Sequence, residues 1–430
     1  MTDDSQGPWR PLLQGPDAGP ALDVAEEIDG ALLRLHAAGP GSYGFSELAG
    51  WSLFFAYLDR AVPGRGYLDR AAELLEDSVA GLSRSHSQAS LYGGFPGVAW
   101  LVEHLKGWIL EDDEEDDPGE EIAAAVYRHL DLSPRRGDHD LLFGLAGLGV
   151  YALERSPRRW GRESLKAAVA RLAETAERRP QGVAWRSSPE GMEPGELKRY
   201  PQGNYNLGMA YGTPGVAALL ALANAAGAEA RPLLDDAVAW ILAQRLPAGE
   251  RSIFPHVVAP GQRPQPTRLA WCYGDLGIAA ALLLAARCTG EAAWEREALE
   301  TARAASRRSP ETSGVVDAGL CHGAAGNAHL FNRIAQATGD PACEAAARFW
   351  LERTFALRRP GEGIAGFCSW GTGDNGHPVG WRDDPGFLSG AAGIGLALLA
   401  AASPVEPAWD RLLLVSIPPR PSARQEEAER

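Results

Sequence analysis

Two kinds of helical segment alternate along the chain. One kind is apolar on every side, as in Val216-Ala-Ala-Leu-Leu-Ala-Leu-Ala, Ile278-Ala-Ala-Ala-Leu-Leu-Leu-Ala and Ile394-Gly-Leu-Ala-Leu-Leu-Ala. A helix without a polar face is a buried helix. The other kind carries one charged face, over roughly residues 21–38, 66–82, 120–132, 161–178, 231–245, 293–307 and 340–357. Seven outer helices are thus predicted to alternate with seven inner ones. The closed way to bury the apolar set is an inner ring wrapped by the amphipathic set. The predicted fold is all-α, an α/α toroid. Strand signals are few; residues 181–207 and 250–270 could hold short strands or irregular loops.

A short punctuation recurs where the apolar helices begin. It reads Gly94-Phe-Pro-Gly97, Gly144-Leu-Ala-Gly147, Gly212-Thr-Pro-Gly215, Gly274-Asp-Leu-Gly277, Gly323-Ala-Ala-Gly326 and Gly390-Ala-Ala-Gly393, with a worn first copy at Glu47-Leu-Ala-Gly50. Intervals of 47 to 68 residues between copies favour one repeat-built body. Its expected extent is residues 21–405, after an N-terminal extension of residues 1–20 and before a tail, 418–430, expected to be disordered. Connections from inner to outer helices are short. Those from outer to inner helices are long, notably 179–211, 246–271 and 358–389. Long connections in a compact body usually carry function, and these share one end of the toroid with the inner-helix N-termini. The acidic run 111–117 falls at the other end and reads as a solvated loop.

Charge and cysteine usage narrow the function. Across 430 residues the net charge is −15, which argues against nucleic acid or an anionic membrane as the main partner. No apolar run is long enough to span a bilayer, and the N-terminus has no signal-peptide pattern. An odd count of five cysteines, in a long chain without a secretory framework, suggests a reduced, cytoplasmic protein using thiols for metal binding or catalysis.

Two of those cysteines occupy equivalent places in neighbouring repeats. Trp271-Cys272-Tyr273 and Leu320-Cys321-His322 each stand immediately before a first glycine, with the cysteine two residues ahead of it. Two thiolates and an imidazole are what a tetrahedral zinc with an open fourth position requires, and a helix N-terminus favours the thiolate form. The same residues would also serve as two core cysteines and a structural histidine. Cys288 and Cys343 lie within helices and read as packing residues. Cys368 lies in the last long connection, and the three-ligand set is complete without it.

The Trp271-Cys-Tyr-Gly274 and Cys321-His-Gly323 pair, the terminal Gly390-Ala-Ala-Gly393 and the sevenfold glycine pattern resemble the lanthipeptide cyclase family, the LanC-like proteins. The resemblance covers about residues 20 to 402. It implies one zinc held by Cys272, Cys321 and His322. It also implies intramolecular Michael addition of peptide cysteine thiols to dehydroalanine or dehydrobutyrine, giving lanthionine and methyllanthionine rings. The substrate is then a dehydrated precursor peptide. Because no dehydratase region is recognisable, a separate dehydratase is expected. Three further positions match the family pattern: Asp140, four residues before Gly144; Arg268, four before Cys272, a candidate enolate stabiliser; and Tyr273 within the motif. One departs from it. The family usually has His-Gly at the fourth repeat, and here Tyr211 precedes Gly212. A phenol stays protonated at neutral pH, so Tyr211 could replace that histidine as proton donor, or merely line the pocket. His139, beside Asp140, is a possible substitute acid.

Other functions fit parts of this pattern. A LanC-like protein could instead add glutathione to dehydroamino acids in damaged proteins, and glutathione consumption would distinguish it. A non-catalytic scaffold could bind precursor and dehydratase, but would have no need of three zinc ligands. An α/α-barrel glycosidase would want a carboxylate pair across the pocket. Asp374, Asp383 and Asp384 could mimic one, leaving the Cys/Cys/His set unexplained.

Overall fold

The computed structural model describes residues 9–39, 45–82, 87–112, 117, 119–131, 138–192, 194–371 and 379–419. The outer helices are α1 (Gly19–Ala37), α3 (Tyr67–Leu82), α5 (Glu120–Asp131), α7 (Arg159–Thr175), α10 (Arg231–Ala243), α12 (Ala292–Ser306) and α15 (Pro341–Ala356). The inner helices are α2 (Phe45–Ala61), α4 (Phe95–His104), α6 (Leu145–Glu154), α9 (Thr213–Ala225), α11 (Asp275–Thr289), α14 (Ala324–Thr338) and α16 (Ala391–Ala402). Each inner helix packs on the next, and α16 packs on α2, closing the ring. The fold is the α/α toroid that the alternating pattern implies.

Burial follows the two patterns. In α16 every residue from Ala391 to Ala402 is buried. In α12 the buried set is Ala298, Thr301, Ala302 and Ala305, the single stripe of a helix with one face in water. Small residues on the inner helices let the ring close tightly: a Cβ on Gly149 of α6 would lie 2.5 Å from Leu219 of α9.

The long connections carry what strand there is. β1 (Glu177–Arg179) pairs with β2 (Gly182–Ala184). A three-stranded sheet joins β3 (Arg186–Ser187), β4 (Asn204–Asn206) and β5 (Val257–Val258), so the second and third insertions pair with each other. An antiparallel strand pair that the sequence does not suggest, β6 (Ser369–Gly371) with β7 (Gly380–Arg382), stands in the last connection. Two one- to two-turn helices, α8 (Pro194–Arg199) and α13 (Pro310–Ser313), complete the connections.

The residues after α16 turn inward. Trp409, Leu413, Leu414 and Val415 are buried. Asp410, fully buried, accepts hydrogen bonds from His329 Nε2 at 2.7 Å and Arg333 Nε at 2.6 Å, both on α14. The Leu412 carbonyl accepts from the Tyr92 hydroxyl and the Leu413 carbonyl from Trp271 Nε1. Arg411 reaches Glu154 of α6. These partners lie around the ring, so the segment occupies its axis. At the N-terminal side Trp9 Nε1 donates to Ala400, and Leu13 N to Ala401. The expected disordered tail lies, from residue 420 on, outside the described residues.

The acidic run is not simply solvated. Asp117 pairs with Arg155 and Lys106, and Asp112 with Arg158. The buried Arg155 of this cluster needs a carboxylate because an unpaired buried cation is costly. Residues 113–116 lie outside the described set.

Candidate metal centre

The six full copies of the glycine motif place their flanking residues in the same way. The second glycine sits in the first turn of its helix, where a side chain would strike the carbonyl six residues earlier. An added Cβ on Gly277 would lie 2.3 Å from the Trp271 oxygen, and one on Gly326 1.8 Å from the Leu320 oxygen. The tight turn leaves the residue two before the first glycine facing its counterpart in the next repeat. Backbone hydrogen bonds then run between repeats: Tyr92 N to Leu142 O, Ala210 N to Cys272 O, Cys272 N to Cys321 O at 3.2 Å, and Cys321 N to Leu388 O at 2.7 Å. Cys272 and Cys321 hold adjacent places in this girdle. That is why residues 49 apart in sequence bring their thiols together.

The residues one place further on form the mouth of the toroid. They are Phe143, Tyr211, Tyr273 and His322 in successive repeats. Tyr211 and Tyr273 stack, with ring centroids 5.6 Å apart. Phe143 is 48% exposed, a large apolar ring left in water on the rim.

Cys272, Cys321 and His322 each offer one ligand atom, and the three atoms lie within 4.8 Å of one another. Among the described residues no other group of three or more His, Cys, Asp or Glu has this convergence. All five cysteines are free. Cys343 is buried and Cys288 half-buried, both on helices. Cys368 is not one of the converging three; it lines a cavity of about 160 Å³ together with Asp317, Arg359 and Trp381.

The electrostatics favour one thiolate in the pair. A hydrogen bond from Cys321 lowers the Cys272 thiol well below its ordinary value against the cost of burial, with His322 and Arg268 assisting. Cys321, as donor to Cys272 and buried, is correspondingly raised. Arg268 Nη2 lies 3.6 Å from the Cys272 sulfur. Burial alone would lower the His322 imidazole, but Asp317 and Cys272 outweigh it and raise it to about 9. Both ring nitrogens of His322 are buried without a hydrogen-bond partner. Two thiols, one imidazole with an uncommitted nitrogen, and a neighbouring cation that favours thiolate fit a zinc site with one open position.

The other named residues sit behind or beside this set. Burial raises Tyr211 far above its ordinary value, and the nearby cysteines add to the effect, so its hydroxyl stays protonated. Tyr273 is raised the same way, and its hydroxyl accepts from Asn206 Nδ2 at 3.0 Å. The Asp140 carboxylate accepts from the Phe143 N–H at 2.8 Å. Burial nevertheless raises its carboxyl to about 6. His139 is buried against Trp185, hydrogen-bonded to the Tyr211 backbone and lowered by burial to about 4; it braces Tyr211 from behind. Asp384 accepts from Gly386 N, a turn-forming use, and Asp374 lies outside the described residues. Trp271 is fully buried and anchors the axial segment.

Sequence reasoning passes over Asp317, a buried carboxylate facing His322. A signal was present. Asp317 lies six residues before the first glycine of its repeat, the place that Arg268 holds in the preceding repeat and Asn206 in the one before.

An α/α toroid with a Cys/Cys/His cluster under an aromatic mouth defines a class of repeat-built helical protein with a candidate metal site. Over residues 46–414 the chain matches the family described as "Lanthionine synthetase C-like protein", and it belongs to that family. The nisin biosynthesis protein NisC of Lactococcus lactis subsp. lactis is 25% identical over 152 residues, 32% of this chain and 34% of that protein. The alignment thus spans about a third of that curated relative. The solved structure of nisin cyclase superposes with a TM-score of 0.72 at 20% identity, covering 92% of this chain and 98% of that one. It shares the fold. Among the described residues no helix is long and apolar enough to cross a membrane.

Proposed function

We propose that the protein is a zinc-dependent lanthionine-forming cyclase, adding cysteine thiols of a dehydrated precursor peptide to its dehydroalanine and dehydrobutyrine residues. The observation that carries this reading is the convergence of Cys272, Cys321 and His322 within 4.8 Å, in a chain of the lanthionine synthetase C-like family.

Cys272, Cys321 and His322 would hold the zinc, which would supply a Lewis acid that brings the pKa of the substrate thiol into the neutral range. The thiol proton leaves to solvent. Sulfur attacks the β-carbon, the C–S bond forms, and the alkene π pair moves onto the adjoining carbonyl oxygen as an enolate. Arg268, beside Cys272, supplies positive charge where that oxygen becomes negative. The Tyr211 hydroxyl, protonated throughout the working range, delivers the proton that forms the α C–H bond, and solvent restores it. Tyr273 stacks on Tyr211 and holds its ring at the mouth. The net change is an isomerisation, with no atoms gained or lost.

The substrate needs prior loss of water from serine and threonine, which a separate dehydratase would perform. Free thiols in all five cysteines suit a reducing compartment such as the cytoplasm.

Metal content of the purified protein tests the site. About one zinc per wild-type chain is expected, lost in Cys272→Ala and His322→Ala. A wild type that takes up no metal under reducing conditions would remove the basis for the reading.

A further inference from the structure

The buried carboxylate of Asp317 has three neighbours. Its Oδ1 accepts the Gly319 N–H at 3.2 Å, forming the turn that leads into Cys321. Its Oδ2 accepts the Trp370 N–H at 2.9 Å, from strand β6. The same Oδ2 faces His322 Nε2 at 3.5 Å. The side chain is 1% exposed, and no lysine or arginine pairs with it among the described residues. A carboxylate so deeply buried is costly unless its charge is answered, and the imidazole stands before the oxygen that the Trp370 N–H also reaches, with neither ring nitrogen in a hydrogen bond.

We propose that Asp317 is the positioning residue of the metal centre: it takes the Nε2–H of His322, leaves Nδ1 as the ligand nitrogen, and ties strand β6 to that imidazole through the Trp370 N–H. The inference rests on the metal reading of the site and goes beyond it. A ring has two nitrogens, and a metal site needs one of them free of its proton. An acceptor fixed at Nε2 keeps the proton there, orients the ring and makes Nδ1 the better donor. Repeat register explains how a single residue does this. Asn206, in the equivalent place two repeats earlier, caps Gly208 with the same side-chain oxygen geometry. Asp317 keeps that turn and adds a second oxygen, which is the one facing His322. Trp370 meets Trp381 edge-on at 5.3 Å, and Trp381 is 51% exposed on the surface. Trp370 thus links the β6–β7 strand pair to the carboxylate that faces the ligand.

Two measurements on the full chain test this. Zinc affinity, by competition with a chromophoric chelator, is compared for wild type, Asp317→Asn and Asp317→Ala, with far-UV circular dichroism confirming the helical fold of each. The expected loss is about ten- to a hundredfold for both variants, with cobalt-substituted Asp317→Asn retaining thiolate-to-cobalt bands while its d–d bands shift. Equal affinity within about twofold in a folded variant would overturn the inference while leaving the metal site standing. The second measurement needs no Asp317 variant. Histidine ¹⁵N NMR of the zinc-loaded wild type, assigned with His322→Ala, should find the proton of His322 on Nε2. A proton on Nδ1 would overturn the inference even if Asp317 variants fail to fold. Absence of zinc or cobalt uptake by the wild type would overturn the metal reading, and this inference with it.

Discussion

The backbone N–H of Cys272 donates to the carbonyl of Cys321 at 3.2 Å. This bond fixes the two candidate ligands through the main chain, so the spacing of their sulfurs does not depend on side-chain packing alone. It depends on the turn at Gly274, the first glycine of its repeat. That residue has φ of +122°, a conformation that side chains rarely adopt. An added Cβ would lie 2.2 Å from the Arg268 oxygen. Gly274→Ala should destabilise the fold by about 2–3 kcal/mol and weaken metal uptake together, because Arg268 and Cys272 bracket the same turn. Urea unfolding and zinc content measure both; a variant of unchanged stability would show that the turn relaxes freely.

Tyr211 offers a sharper test of mechanism. Tyr211→Phe removes only the hydroxyl and keeps the ring that stacks on Tyr273. If the hydroxyl donates the proton, cyclisation should slow by about 10²–10⁴-fold with zinc content unchanged. A full rate with Phe would reduce Tyr211 to a wall of the pocket.

The raised Asp140 carboxyl predicts a pH effect on stability. Burial holds it at about 6 in the folded protein, against about 3.9 in an unfolded chain. The folded state therefore keeps this proton to higher pH. Its contribution to stability is fully present below about pH 4 and is lost as pH rises through about 6. Asp140→Asn cannot ionise, and its amide oxygen can still accept the Phe143 N–H. Relative to wild type it should gain about 2–3 kcal/mol between about pH 4 and pH 8. Chemical denaturation at the two pH values checks the difference, and a constant offset would place the Asp140 titration elsewhere.

The axial segment should be structural. Asp410→Ala leaves Arg333 and His329 without their buried partner, and loss of one member of a buried ion pair costs about 3–5 kcal/mol. Denaturant unfolding should register that loss with an unchanged m-value.

Much of this was legible in the chain. The all-apolar segments can only be buried, and their alternation with one-faced segments leaves the toroid as the closed solution. The cysteines were legible as a pair because repeat register carries Cys272 onto Cys321. Other features left weaker marks. Asp317 reads as one more turn-forming residue until the fold turns His322 toward it. Trp409 and Leu413 follow the last apolar helix in a segment without periodicity, and only the closed ring creates the axis that they fill. Asp117 looked solvated because its partners Arg155 and Lys106 lie in other elements, and a charge run cannot reveal pairing across the fold.

Free thiols in a dehydrated, cysteine-containing precursor peptide, counted by alkylation and mass spectrometry after incubation with the zinc-loaded protein, test the central claim most directly. Thioether formation leaves the peptide mass unchanged, so each ring is read as one thiol that no longer reacts. Thiols should disappear with wild type, with no added mass when glutathione is present, and persist with Cys272→Ala. Thiols that persist with wild-type protein carrying its zinc, or a peptide that gains glutathione instead, would contradict the assignment.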